Sequence, residues 1–235
     1  MSWTDKIAIE QILKLKEEFN IGVVITTGAF IGADTEFYAQ HFRHVYTMDI
    51  EAKYLDIAQQ RLSQYKNISY HLMPSWEFIK LYRWQYERLQ SIDTIYFYLD
   101  AHFYDPQLAS EDKWVAVKEL KALKGFRNCI IVIHDFDNGK FGHLVYDGEH
   151  FGWNVISEYI SKVNPDFYYY TNEICDIYNE ETIRQLGLTM DKYLLDSIRY
   201  TNSSDTKRYR GILYAVPKEL DLSQYKLVKY ENRHN

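Results

Sequence analysis

The chain has 235 residues, 46% hydrophobic and 26% charged, which is enough for one core and requires no second domain. Its net charge of −6 argues against a broad basic face for nucleic acid. Two cysteines, Cys129 and Cys175, make neither a disulfide framework nor a metal-ligand spacing, and no apolar stretch reaches the roughly 18–20 residues that span a bilayer. Asp5, Glu10, Glu17 and Glu18 break up any signal peptide, and the cysteine usage suits a reducing compartment, so a cytoplasmic protein is expected. The 22 Tyr, 12 Phe and 5 Trp read either as core filler or as the lining of a binding cleft.

Residues 3–19 carry Ile9, Ile12, Leu13 and Phe19 at helical spacing, and Asn20 and Gly22 end that helix. The β-branched run Gly22–Gly28 reads as a buried parallel strand, followed by a helix over 34–42. A strand over 44–50, a helix over 52–65 and a strand over 68–73 come next, and Ser75 is placed as the cap of a helix through Leu89. Strand 94–101 leads to a helix from Asp105-Pro106 to about Leu123, then to strand 128–136. A helix near 153–162 and strands over 166–173 and 210–218 complete the chain. Residues 174–209 form an insertion that could serve as a lid or an oligomer contact.

Strand and helix alternate five times, which predicts an α/β, Rossmann-like, doubly wound and mostly parallel sheet in a single domain. Ligands of such sheets bind at the carboxyl ends of the strands, where the strand order reverses. Gly28, Asp49, Pro74-Ser75, Asp100–His102 and His134-Asp135 all fall at such ends. Gly28 and Gly32 suit a sharp turn that brings backbone close to a ligand. Asp49, at the tip of the next strand, can accept both hydroxyls of a ribose. The dinucleotide fingerprint is missing because Phe30 takes its second glycine position. A cofactor with a ribose and no phosphate fits better, and S-adenosylmethionine is one.

Together, "ITTGAFIGADT", "VYTMDI", "FYLDAHFYD" and "IVIHDF" resemble the class I S-adenosylmethionine-dependent methyltransferases over roughly residues 20–160. Within these the likeness is to metal-dependent sugar O-methyltransferases of the macrocin and mycinamicin type and to FkbM-like proteins. The resemblance implies a seven-stranded sheet with its last strand, over 210–218, antiparallel. It places Gly28 and Gly32 at the methionine end of the cofactor, Asp49 on the ribose and Ser75 near the adenine. Thr26 stands where the family usually has an acid for the cofactor's amino group, and Met73-Pro74 where "G-D" is common.

Asp100 and Asp135 end adjacent strands of such a fold, and their carboxylates could share a hard divalent ion such as magnesium. By the resemblance His102 is the base that takes the proton from an acceptor hydroxyl. His134 stands where relatives place a second acid. Either the ion is manganese or another transition metal, which suits this softer ligand, or His134 is no ligand. Alternatively there is no metal and His102 and His134 work alone, and Asp137 could serve as a substitute carboxylate. Phe103 and Tyr104 beside the base, with Tyr146, His150, Phe151 and Trp153 from the glycine-rich loop 138–154, are candidates to stack on a sugar or other small polyol acceptor. Three readings remain open. They are a metal-assisted O-methyltransferase, a non-catalytic binding protein on the same fold, favoured by Thr26 and Pro74, and a nicotinamide-linked oxidoreductase, disfavoured by the missing glycines.

Overall fold

A computed structural model of the chain describes residues 6–89, 93–102, 113–174, 180–196 and 210–231. One sheet runs through it in the order β3 (Ile68–Leu72), β2 (His44–Asp49), β1 (Ile21–Thr27), β4 (Thr94–Leu99), β5 (Cys129–His134), β9 (Ile212–Val216), β8 (Tyr168–Asn172) and β10 (Leu227–Lys229). The first five pair in parallel, and β9 is antiparallel to both β5 and β8. This is the doubly wound sheet with an antiparallel strand anticipated above, with an eighth strand added: β10 pairs antiparallel with β8 at the edge. Every residue of β4 and β5 is buried, because helices cover both faces and the sequences TIYFYL and CIIVIH offer apolar or aromatic side chains to each.

One face packs α1 (Lys6–Phe19) and α2 (Ala33–His41), beside α3 (Ala52–Arg61), around a core that includes Tyr38, Tyr96, Tyr98, Tyr170 and Tyr214. The other packs α4 (Ser75–Leu81), α6 (Val115–Ala122) and α7 (Trp153–Val163) around Phe78, Phe97, Phe126, Phe136 and Phe151. These ten rings are fully buried, so many of the aromatics are core. The described part of the insertion, 180–196, includes α8 (Glu180–Gln185) and buries Ile183, Leu188 and Leu194 in the first core. Buried Arg61 ties it down, pairing with Glu36 and Asp191 and donating to the Thr189 carbonyl.

The helix expected over 75–89 is two helices, α4 and α5 (Arg83–Leu89), broken at Tyr82. The Tyr82 ring stacks on Phe78, and Arg83 turns to donate to the carbonyls of Ala122 and Lys124 at the end of α6. Ser75 does not cap α4: Pro74 holds the N-cap position, its carbonyl accepts the N–H groups of Glu77 and Phe78, and the Ser75 hydroxyl turns inward. Beyond β5 a hairpin of β6 (Val145–Tyr146) and β7 (Glu149–His150) turns at Asp147-Gly148, both with positive φ.

Candidate active site

The strand order reverses between β1 and β4, and the ends of these strands are bolted together there. Thr27, fully buried at the end of β1, accepts the N–H groups of Asp100 (3.0 Å) and Ala101 (3.2 Å) with its hydroxyl. Gly28 follows with φ 76°; a Cβ there would stand 3.0 Å from the Asp100 carbonyl oxygen, so only glycine fits where the strands come together. The N–H groups of Gly28 and Ala29 donate to the Met48 carbonyl, and that of Phe30 donates to Asp49 Oδ2 at 2.9 Å. Asp49 Oδ1 accepts the Glu51 N–H at 2.9 Å. Each carboxylate oxygen therefore holds one amide and keeps a lone pair for a ligand.

Asp100, His102, His134 and Asp135 meet above β4 and β5. His102 Nε2 lies 2.9 Å from Asp100 Oδ1 and 2.8 Å from Asp135 Oδ2. His134 Nδ1 lies 3.0 Å from Asp100 Oδ1 and 3.3 Å from Asp135 Oδ1, and the Arg210 guanidinium also pairs with Asp135. Asp135 has φ 58°, a left-handed conformation that Asp tolerates better than most residues. Burial alone would lower the proton affinity of His102, but the hydrogen bonds it donates to Asp100 and Asp135 outweigh it and lift its pKa to about 10. Burial would raise both carboxyls; the His134 charge and the two histidine hydrogen bonds instead hold them well below the ordinary carboxylate range.

A single cavity of about 470 Å³ joins the two groups: Gly28, Asp49, Ser75, Asp100, His102 and Asp135 all line it. Phe30, Ile50, Tyr54, Met73 and Trp76 give it apolar walls, and five acids, Asp34, Asp49, Glu51, Asp100 and Asp135, face it. Thr26 and Gly32 are not among its described lining residues. Thr26 is buried on the opposite face of β1 from Thr27, and Gly32 has φ 80° where a Cβ would meet Ala58 and Leu62 at 3.0 Å, so it serves the packing of α2 on α3. His134 is buried behind Asp100.

The loop aromatics divide. Phe151 is core, stacked on Trp114, and Trp153 packs on Tyr169 and Tyr230. Tyr146 also stacks on Trp114 and lines a small recess beside His102 and His134. Phe103 and Tyr104 lie outside the described residues. Three residues had escaped the sequence reading: Thr27, Arg210 and Glu119. Glu119 is fully buried on α6, near the hydroxyls of Ser75 and Thr27, and burial pushes its carboxyl up to about 7 against the lowering influence of those hydroxyls. Neither its oxygens nor Ser75 Oγ make a hydrogen bond of good geometry among the described residues. Its signal was an acid one turn beyond Val115 on an otherwise apolar helix face.

No protein-family model matches the chain, and no curated protein matches it. Among solved structures it is similar to an rRNA methylase from Streptococcus thermophilus, with 16% identity and a TM-score of 0.48 over 89% of this chain and 94% of that one. A SAM-dependent methyltransferase from Anabaena variabilis has 16% identity and a TM-score of 0.43 over 97% and 87% of the two chains. The N-methyltransferase NodS from Bradyrhizobium japonicum has 11% identity and a TM-score of 0.41 over 91% and 95%. Similarity at this level assigns neither substrate nor activity.

Proposed function

We propose that the chain is an S-adenosylmethionine-dependent O-methyltransferase that modifies a hydroxyl of a sugar or other small polyol. The observation that carries this reading is the shared cavity, in which a carboxylate suited to a ribose and a cluster suited to handling a proton face the same space. Asp34, Asp49 and Glu51, at the end of the cavity away from the His102 cluster's cations, attract the sulfonium and ammonium charges of the donor and repel the pyrophosphate of a dinucleotide or the backbone of a nucleic acid.

The residues present fit this donor. Asp49 has lone pairs to spare for two hydroxyls, and Ser75 lines the same cavity. Phe30 and Ile50, each more than a third exposed beside Asp49, offer apolar surface to the adenine. When bound, the donor supplies a methyl group whose bond to sulfur breaks, leaving the electron pair on sulfur, as its bond to the acceptor oxygen forms. The acceptor hydroxyl loses its proton to the protein.

The cluster also fits a divalent transition ion: two carboxylates and an imidazole offer donor atoms within 4.8 Å of one another. Such an ion, held by Asp100, Asp135 and His134, would lower the pKa of a hydroxyl beside it. Without it, the protonated His102 is the cation between the carboxylates and has no free lone pair on Nε2. His102 becomes a base when another positive charge takes that place between Asp100 and Asp135.

Calorimetry with S-adenosylhomocysteine tests the donor half, and methyl transfer from labelled S-adenosylmethionine to a panel of glycans, with and without magnesium or manganese, tests the rest. Absence of S-adenosylhomocysteine binding would overturn the reading. Binding without transfer to any hydroxyl acceptor would turn it into that of a binding protein.

A further inference from the structure

Among the described residues a second cluster of metal-ligating side chains lies outside the cavity, at the base of the β6–β7 hairpin. We propose that Asp137, His143 and His150 form a zinc-type site that clasps this hairpin, separate from the Asp100 cluster and sharing no ligand with it. One donor atom from each of the three lies within 4.8 Å of the other two. The set of two imidazoles and one carboxylate suits zinc, nickel or copper rather than magnesium or calcium.

The chain is folded to bring them together. The tight Asp147-Gly148 turn sets Val145 opposite His150, and the Phe151 N–H donates to the Leu144 carbonyl, so His143 and His150 become neighbours across the hairpin. Their rings are 4.9 Å apart between centroids, and His143 Nε2 lies 2.6 Å from His150 Nδ1. His143 Nδ1 lies 3.2 Å from the Phe141 carbonyl oxygen; donating its proton there leaves the Nε2 lone pair aimed at the gap between the rings. Asp137 is fastened at the same point. Its N–H donates to the Phe151 carbonyl, its Oδ1 accepts the Gly139 N–H, and its Oδ2 is 3.9 Å from His150 Nδ1.

Two ring nitrogens this close cannot both present lone pairs, so one keeps a proton until a cation replaces it. Tetrahedral bonds of roughly 2.0–2.1 Å place two ligand nitrogens about 3.3 Å apart. The rings need part by only a fraction of an ångström, and His150, with 58% of its side chain exposed, is free to make that adjustment. Solvent can fill a remaining coordination position. The consequence is structural: the hairpin carries Tyr146, which packs on Trp114 beside the recess next to His102, and an ion at its base would fix that wall.

The test is zinc binding by the full chain without an affinity tag. Crystals of zinc-loaded protein should show an anomalous peak among Asp137, His143 and His150, resolved by position from any ion at Asp100. In solution, His150→Ala, a change at an exposed side chain that leaves the fold intact, and the double variant His143→Ala/His150→Ala should each bind one zinc fewer per chain than wild type. The proposal is overturned if saturating zinc leaves no density at these residues, or if both variants take up as much zinc as wild type.

Discussion

The Thr27 hydroxyl accepts the backbone N–H of Asp100 at 3.0 Å, so the end of one central strand fixes the start of the loop that carries the acid of the next. The same oxygen accepts the Ala101 N–H. Thr27→Val, equal in shape, leaves both amides without an acceptor and should cost about 1–3 kcal/mol in denaturant unfolding. Methyl transfer should fall further than this loss of folded protein explains, because Asp100 and His102 lose their anchor. Thr27→Ser should restore most of both; equal behaviour of the Val and Ser variants would show that the hydroxyl does not matter.

Asp49→Ala should weaken S-adenosylhomocysteine binding by about 10- to 100-fold, the worth of hydrogen bonds to one charged acceptor. Calorimetry measures this directly. Asp100→Ala should instead abolish turnover while leaving that affinity nearly intact.

In metal-free protein, held so with a chelator, the His102 imidazole should titrate near pH 10 when followed by NMR. A histidine whose folded pKa is raised adds stability that is fully present below its unfolded value, about 6.5, and lost as the pH rises through about 10. The stability gap between wild type and His102→Gln should therefore be widest near pH 6 and close by pH 11. A titration near 6.5 would show that the two carboxylates do not hold the proton.

Glu119 loses stability in the same direction as the pH rises, but over a lower window. Its folded pKa is raised from 4.5 to about 7, so folding favours its neutral form and stability is lost as the pH rises through 7. Glu119→Gln should leave stability unchanged at pH 4 and raise it above pH 7, by on the order of 3 kcal/mol at the limit. Chemical denaturation of the two proteins across that range checks both sign and window.

A Cβ at Gly211 would overlap the Phe136 carbonyl oxygen, next in the chain to Asp135. Gly211→Ala must push the start of β9 away from the end of β5, at a cost of about 3 kcal/mol or more. It should also release Arg210 from Asp135, which would appear as a raised His102 pKa, because a cation beside that carboxylate is lost.

Most of the scaffold was legible in the sequence because buried parallel strands write themselves as β-branched and aromatic runs, and β1, β2, β4 and β5 lie where those runs stand. The polar residues at their ends were legible for the same reason. What escaped was the choice of face. Period-two alternation says that Thr26 and Thr27 point opposite ways, and only the packing of α6 decides that Thr27 meets the site. Glu119 hid inside a helix whose apolar stripe was expected to be continuous. Arg210 lay 75 positions from its partner, a separation that no local pattern spans. The split between α4 and α5 has its cause in a tertiary contact, Arg83 on the end of α6, which local propensity does not record.

Because β9 lies between β5 and β8, each of β8's two sheet partners, β9 and β10, is encoded after it. As the polypeptide leaves the ribosome, β5 and β8 must wait with bare hydrogen-bonding edges until residues 212–216 emerge and slide between them. The guanidinium that pairs with Asp135 arrives on that same late segment, so assembly of the cluster of Asp100, His102, His134 and Asp135 reports the insertion of β9.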